Sequence, residues 1–130
     1  GVSMKKVITP TITLALILTG CAQESNSADL TVAEFSAKSQ EAGVISLDVR
    51  TAQEFAEGHL KNAININVES GNFENEIANL DKTATYAVYC RSGRRSAVAV
   101  DLMQKAGFTN LFNLGGGVID WSASGYPLEK

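Results

Sequence analysis

The chain has 130 residues, of which 45% are hydrophobic and 19% are charged, and its formal charge is −3. This length and apolar content support one folded domain with its own core, but hardly two domains. The 14 acidic residues outnumber the 11 basic ones, and this balance argues against general binding to nucleic acid.

The first 20 residues have the pattern of a secretion signal. Lys5 and Lys6 follow the predicted start, Met4, and the segment from Val7 to Thr19 is almost wholly apolar or hydroxylated. A membrane-spanning helix needs roughly 20 such residues, so we expect a signal that is removed rather than a permanent membrane helix. Residues 1–3 are interpreted as left over from cloning.

The apolar segment ends in a cysteine whose context resembles the lipobox of bacterial lipoproteins. The motif is Leu18-Thr19-Gly20-Cys21. The resemblance implies a lipoprotein signal peptide at residues 4–20 that is cut before Cys21, and a lipid on that cysteine. We therefore expect a protein of the bacterial cell envelope, exported and lipid-anchored to a membrane on the periplasmic or outer side. The alternative is a spare or buried cysteine.

Residues 21–28 are small and polar, and the sequence predicts a lipidated cysteine followed by a flexible tether. The folded domain is predicted at residues 29–130. Without residues 1–20 the chain keeps all 14 acidic residues but loses Lys5 and Lys6, so 9 basic residues remain and the formal charge is −5.

Predicted helices and strands alternate from Asp29 onward. Thr31 and Glu34 have the spacing of a capping box, which opens a helix that extends to about Gln40. The later elements are predicted in chain order as a buried strand at 44–49, a short helix at 51–57, a more exposed strand at 63–68, a helix at 72–80, a strand at 86–89, a largely buried helix at 96–106, a strand at 111–114 and a last helix at 118–123. This alternation predicts an α/β fold with three layers.

Cys90 lies where a predicted strand passes into a predicted helix. In α/β sheets, sites form beyond the carboxyl ends of the strands, and the N–H groups and dipole of a helix N-terminus favour thiolate over thiol. Arg91, Arg94 and Arg95 follow within five positions. The pattern predicts an activated cysteine beside a site for a small anion; the alternative is three exposed arginines without a ligand.

A set of short motifs in fixed order resembles a single-domain rhodanese. The motifs are Asp48-Val49-Arg50, Glu54-Phe55, Gly58-His59-Leu60, Ala63, the loop that starts at Cys90, Gly107-Phe108, Leu114-Gly115-Gly116, Trp121 and Gly125-Tyr126-Pro127. The resemblance covers about residues 29–128. It implies a rhodanese-like domain with a mainly parallel central sheet flanked by helices, and a thiosulfate-type sulfurtransferase that needs no cofactor and no metal.

The resemblance also implies a reaction. The thiolate of Cys90 attacks the outer sulfur of a small anionic donor such as thiosulfate, sulfite leaves, and the persulfide passes its sulfur to cyanide, a thiol or a protein. Successive backbone N–H groups would stabilise the anionic persulfide, and the arginines would lower the cysteine pKa, attract the donor and stabilise sulfite. The expected substrate-binding residues are Arg91, Ser92, Gly93, Arg94, Arg95 and Ser96.

Supporting roles are expected for residues that precede the loop in sequence. Asp48 and Arg50 are expected to be mainly scaffold, and Arg50 stands four residues before Glu54, the spacing of an ion pair across one helical turn. Arg95 is expected to fold back onto an acid such as Asp48. His59, the only histidine, is expected to fix its turn by hydrogen bonds rather than to act as a base. Phe108 and Trp121 are expected in the core.

Two other functions fit a cysteine loop. Phosphatases and arsenate reductases place five residues between cysteine and arginine, whereas four lie between Cys90 and Arg95 here, and Ser96 occupies the arginine position. This spacing favours sulfur chemistry. A persulfide carrier with little turnover needs the same loop as an enzyme, so the sequence does not distinguish these two functions. With Cys21 lipidated, Cys90 is the sole thiol, and we expect a monomer.

Overall fold

The computed structural model describes residues 26–130, which alternate between strands and helices. In chain order the elements are β1 (Asn26–Leu30), α1 (Val32–Ser39), β2 (Val44–Asp48), α2 (Ala52–Glu57), β3 (Ile64–Asn65), α3 (Phe73–Ile77), β4 (Thr85–Tyr89), α4 (Arg94–Lys105), β5 (Asn110–Leu114) and α5 (Gly117–Ala123). The alternation predicted from residue 29 onward is confirmed.

All strands pair in parallel, in the order β1-β5-β4-β2-β3. Side chains of the central strand β4 alternate between the two faces, as a pleated strand requires. Tyr86 and Val88 join a core cluster with α3 and α4, and Ala87 and Tyr89 join a second cluster with α1 and α5. The predicted three-layer α/β fold with a parallel sheet is therefore confirmed.

The register of the sheet brings the predicted site residues to one edge. Asp48 at the end of β2 pairs with Tyr89 at the end of β4. Cys90 follows at the carboxyl edge of the sheet, with its side chain directed toward the α3 and α4 layer. This is the edge at which parallel α/β sheets place their sites.

The predicted boundaries of helices and strands agree with the structure better at some elements than at others. The capping box at α1 is formed, with the Thr31 N–H donating to Glu34 at 3.0 Å and the Glu34 N–H donating to Thr31 at 3.3 Å. The exposed strand predicted at 63–68 is reduced to Ile64–Asn65, and the helix predicted at 72–80 to Phe73–Ile77, which has no side-chain cap at its start.

Helix α4 differs from its prediction in start and burial. It begins at Arg94, two residues earlier than predicted, so two arginines belong to its first turn. The buried residues form one face, comprising Ser96, Ala99, Val100 and Met103. The prediction that this helix is largely buried is wrong, since the Val98 side chain is 52% exposed.

Strand β1 extends the domain toward the N-terminus. Residues 26–28, predicted as the end of a flexible tether, pair with β5 from Asn26 opposite Asn110 onward, so this part of the tether prediction is wrong. Polar residues are tolerated there because β1 is an edge strand paired on one side only. The signal peptide and Cys21 lie outside the described residues. Within residues 26–130, no helix combines the length and the apolar character needed to cross a bilayer.

Candidate active site

The segment from Cys90 to Gly93 turns the chain from β4 into α4. Gly93 has φ +97°, the left-handed region that glycine adopts without steric cost. A Cβ atom at Gly93 would lie 2.0 Å from the carbonyl oxygen of Gly115. A glycine is therefore required here both for the turn and for its close approach to the loop after β5.

The turn after β5 supports the cysteine loop from the other side. The N–H groups of Val118 and Ile119 donate to the carbonyl oxygens of Cys90 and Arg91 at 2.9 and 3.0 Å. A Cβ at Gly117 would lie 2.3 Å from the Arg91 carbonyl, so this contact also requires glycine. The glycine triplet at 115–117, at the start of α5, therefore supports the cysteine loop by direct backbone contact.

The Cys90 sulfur lies inside this loop and accepts two hydrogen bonds. The Gly93 N–H donates to it at 3.1 Å and the Ser96 hydroxyl at 3.3 Å. The residue has 0% of its surface exposed. Burial raises the pKa of the Cys90 thiol, but the hydrogen bonds from Ser96 and Gly93, together with the nearby backbone N–H groups of Ser92 and Ser96, outweigh it, and the net pKa is lower than that of an ordinary thiol. Hydrogen bonds, more than the arginine charges that the sequence suggested, favour the thiolate.

Arg95 is engaged with the protein rather than directed into the loop. Its guanidinium donates two hydrogen bonds to Glu54, at 2.7 and 2.8 Å, and lies 3.6 Å from Glu69. Hydrogen bonding to Arg95 lowers the pKa of Glu54 to about 2 even though burial raises it. The expectation that Arg95 folds onto an acid is confirmed, but the acid is Glu54 instead of Asp48.

Asp48 is unavailable to Arg95 because Arg50 occupies it. The Arg50 side chain donates to both Asp48 carboxylate oxygens at 2.6 to 3.1 Å, and the Arg50 backbone N–H donates to one of them at 2.9 Å. Arg50 also donates to the Gly58 carbonyl at 2.7 Å. Both residues are buried, so the pair forms a scaffold, and the predicted Arg50–Glu54 ion pair is wrong.

His59 is held in its turn by its surroundings. Its ring stacks on Phe55 with centroids 3.8 Å apart, Nδ1 lies 3.0 Å from the Phe55 carbonyl oxygen, and its backbone exchanges hydrogen bonds with Glu129. These contacts agree with the predicted turn-fixing role. Within residues 26–130, no hydrogen bond joins His59 to Cys90.

Arg91 and Arg94 are exposed on either side of the loop. Within the described part of the chain, neither has a carboxylate at salt-bridge distance, in contrast to Arg50 and Arg95. Two positive charges therefore stand at the loop without an ionic partner from residues 26–130, an arrangement that attracts small anions.

Two supporting residues were missed from the sequence. Glu69 approaches Arg95 from an irregular segment that carries no recognisable motif. The Tyr89 hydroxyl accepts a hydrogen bond from the Leu60 N–H at 3.0 Å and so ties β4 to the turn that contains His59. The only signal for Tyr89 was its place directly before Cys90. Phe108 and Trp121 lie in the core as predicted. Residues 26–130 contain no group of three or more potential metal ligands.

Comparison with known proteins identifies similar chains. The profile of the Rhodanese-like domain family matches residues 31–124. The senescence-associated protein DIN1 of Raphanus sativus is 34% identical over 100 residues, which cover 69% of this chain and 55% of that protein. The thiosulfate sulfurtransferase PspE of Escherichia coli is 34% identical over 70 residues, covering 54% of this chain and 67% of PspE. The chain thus spans about half of the radish protein and two thirds of PspE.

Solved structures agree with the fold. A rhodanese-related protein from Thermoplasma volcanium superposes with a TM-score of 0.68 and 29% identity, and the match covers 78% of this chain and 96% of that one. The likeness therefore extends over nearly all of the described residues.

Proposed function

Since the chain belongs to the Rhodanese-like domain family, we propose that it is a sulfurtransferase that takes the outer sulfur of thiosulfate onto Cys90 and passes it to a thiophilic acceptor. The observation that carries the proposal is the Cys90 sulfur, which accepts hydrogen bonds from the Gly93 N–H and the Ser96 hydroxyl. The name of the similar E. coli protein, a thiosulfate sulfurtransferase, supports thiosulfate as the donor.

The proposed reaction has two displacements at sulfur. The Cys90 thiolate attacks the outer sulfur of thiosulfate, a new S–S bond forms, and the old S–S bond breaks with its electron pair leaving on sulfite. The acceptor then attacks the terminal sulfur of the persulfide, and Cys90 recovers the electron pair. Gly93 and Ser96 stabilise the negative charge on Cys90 before the first step and after the second. Arg91 and Arg94 attract the dianionic donor.

Intact-mass spectrometry of the protein after treatment with thiosulfate tests the first displacement. We expect a gain of one sulfur atom that cyanide removes, and no gain in the Cys90→Ser variant. Steady-state formation of thiocyanate tests the second displacement. A protein that gains no sulfur, or a Cys90→Ser variant that still does, would contradict the proposal.

A carrier of persulfide sulfur is the second candidate, and the complete burial of Cys90 favours it because a sulfur stored there is shielded. Rates distinguish the two functions. An enzyme turns over many equivalents of cyanide or thiol, whereas a carrier releases one equivalent quickly to its partner and then reloads slowly.

A phosphatase is disfavoured because Ser96 occupies the position of the phosphate-binding arginine, and the neighbouring Arg95 is held by two hydrogen bonds to Glu54. Turnover of a phosphate monoester at a rate comparable with thiosulfate would overturn this assignment.

We also propose that the protein acts as a monomer in the cell envelope, anchored by lipid on Cys21. The support is Leu18-Thr19-Gly20-Cys21 at the end of an apolar segment. In cells that express the full sequence, Cys21→Ala is expected to move the protein from the membrane to the soluble fraction. Cys90→Ser, which keeps Cys21, is the matched control and is expected to stay in the membrane. A Cys21→Ala protein that remains in the membrane would indicate an uncleaved anchor.

A further inference from the structure

The surface around the Cys90 loop carries exposed aliphatic side chains. Within residues 26–130, four large hydrophobic residues are exposed, and the two most exposed are Val98 at 52% and Ile119 at 49%. Val98 lies one turn after Arg94 on α4, on the same face. Ile119 lies in the first turn of α5, where its N–H binds the Arg91 carbonyl. Each aliphatic residue therefore neighbours one of the two arginines without an ionic partner.

These four residues, Arg91, Arg94, Val98 and Ile119, are called the rim. Arg94 and Val98 line a shallow groove on one side of the loop, together with Arg95 and Glu69. Arg91 and Ile119 line a second groove on the other side, together with Glu54 and Glu57. Cyanide and thiosulfate are small enough to be held within the loop, whereas a protein segment that approaches the Cys90 sulfur is large enough to cover the rim as well.

From the rim we propose that the sulfur acceptor of this protein is a cysteine in an acidic segment of another protein, whose carboxylates bind Arg91 and Arg94 and whose apolar side chains cover Val98 and Ile119. The inference rests on the proposed sulfurtransferase function. Charge complementarity argues for it, since Arg91 and Arg94 have no carboxylate at salt-bridge distance within residues 26–130, whereas Glu54 and Glu69, which line the same grooves, lie at salt-bridge distance from Arg95.

The proposed transfer moves one sulfur atom from the Cys90 persulfide to the acceptor cysteine. The acceptor thiolate attacks the terminal sulfur of Cys90–S–SH, the Sγ–S bond breaks, and the electron pair returns to Cys90 Sγ. The proton stays on the transferred sulfur, and the acceptor leaves as a persulfide, so no oxidant or reductant is required. Cys90 itself has no exposed surface, so the acceptor reacts with the terminal sulfur and not with Sγ.

Three synthetic peptides test the inference. Each contains one cysteine and one leucine, and the flanking residues are Asp and Glu, Asn and Gln, or Lys. The protein is first loaded with thiosulfate, and loading is confirmed by intact mass. Single-turnover transfer to each peptide is then followed as the gain of one sulfur on the peptide. We expect the acidic peptide to react about tenfold more efficiently than the amide peptide, from two exposed charge pairs, and this preference to shrink as salt is added.

Variants of the rim test its charged and its apolar residues separately. Because Arg91 and Arg94 also attract the donor, each variant is treated with excess thiosulfate until intact mass shows one added sulfur, and transfer is measured only afterwards. Arg91→Gln with Arg94→Gln is then expected to equalise the acidic and amide peptides, whereas Lys82→Gln, which removes an exposed cation outside the rim, is expected to keep the preference. Val98→Ser with Ile119→Ser is expected to lower transfer to the acidic peptide roughly tenfold relative to transfer to cyanide, because the apolar contact is lost.

The outcomes distinguish this inference from the proposed function. If Cys90 does not load with sulfur, the proposed function fails. If it loads and reacts with cyanide but treats the three peptides alike, the inference about the acceptor is wrong and the function stands. If the rim variants change binding to vesicles of anionic phospholipid and leave peptide transfer unchanged, the rim binds a membrane and the inference is likewise overturned.

Discussion

Replacing Ser96 with alanine isolates one contribution to the reactivity of Cys90. The Ser96 hydroxyl lies 3.3 Å from the Cys90 sulfur and is fully buried, so no bulk water takes its place in the variant. A hydrogen bond to a charged group contributes about 1.5–3 kcal/mol. We take the lower end because the bond from Gly93 remains and because the Gly93 carbonyl oxygen, 3.2 Å from the Ser96 hydroxyl, competes for its proton. At 1.36 kcal/mol per pKa unit, the Cys90 pKa is expected to rise by about one unit.

The ultraviolet absorbance of the thiolate, titrated against pH, measures this shift directly. The Cys90→Ser spectrum is subtracted to remove the contribution of Cys21. The pH at which sulfur loading reaches half its maximal rate is expected to rise by the same amount, because loading needs the thiolate. Ser92→Ala is the control, since the exposed Ser92 side chain is removed while its backbone N–H is kept. An unchanged pKa in Ser96→Ala would show that the backbone alone stabilises the thiolate.

Other perturbations test the frame around the loop. Hydrogen bonding to Arg95 lowers the Glu54 pKa from 4.5 to about 2, so this pair stabilises the fold above pH 4.5 and its contribution is lost as the pH falls toward 2. The free energy of unfolding, measured with urea, should therefore decrease over that pH range in the unmodified protein. The Glu54→Gln variant should lack this part of the decrease. Asp48→Asn leaves Arg50 buried without its ionic partner and should lower the free energy of unfolding by about 3–5 kcal/mol, and a loss below about 1 kcal/mol would contradict the buried pair. Gly93→Ala, whose Cβ would meet a carbonyl oxygen at 2.0 Å, should lower the melting temperature and abolish sulfur loading; normal loading would refute the required close approach.

Local patterns predicted the elements that are fixed by neighbouring residues. The capping box at Thr31, the buried strand before Arg50 and the strand-to-helix turn at Cys90 all depend on short stretches of sequence, and the structure confirms them. The three-layer α/β fold followed from their alternation, and the mainly parallel sheet followed from the resemblance to a rhodanese. The position of Cys90 at the carboxyl edge was therefore predictable without any knowledge of long-range contacts.

Long-range pairing was the part that sequence reasoning missed. The sequence offered several acidic residues as partners for Arg95. Arg95 pairs with Glu54, which is 41 residues away, because Asp48 is already bound by Arg50. The exposure of Val98 likewise depends on where neighbouring elements end, since helix α4 is covered on one face only. Such choices are decided by competition among contacts in the folded chain, which composition and spacing do not record.

Because all strands of the sheet run in the same direction, the domain has a back, where the strands begin, and a front, where they end. Strand β1 opens at Asn26, beside the start of β5, so the chain that precedes it joins the domain at the back. Cys90 lies at the front, across strands of five residues that span about 16 Å at 3.3 Å per residue. A partner that reacts at Cys90 therefore approaches the carboxyl end of the sheet, the full length of a strand away from the end at which β1 begins.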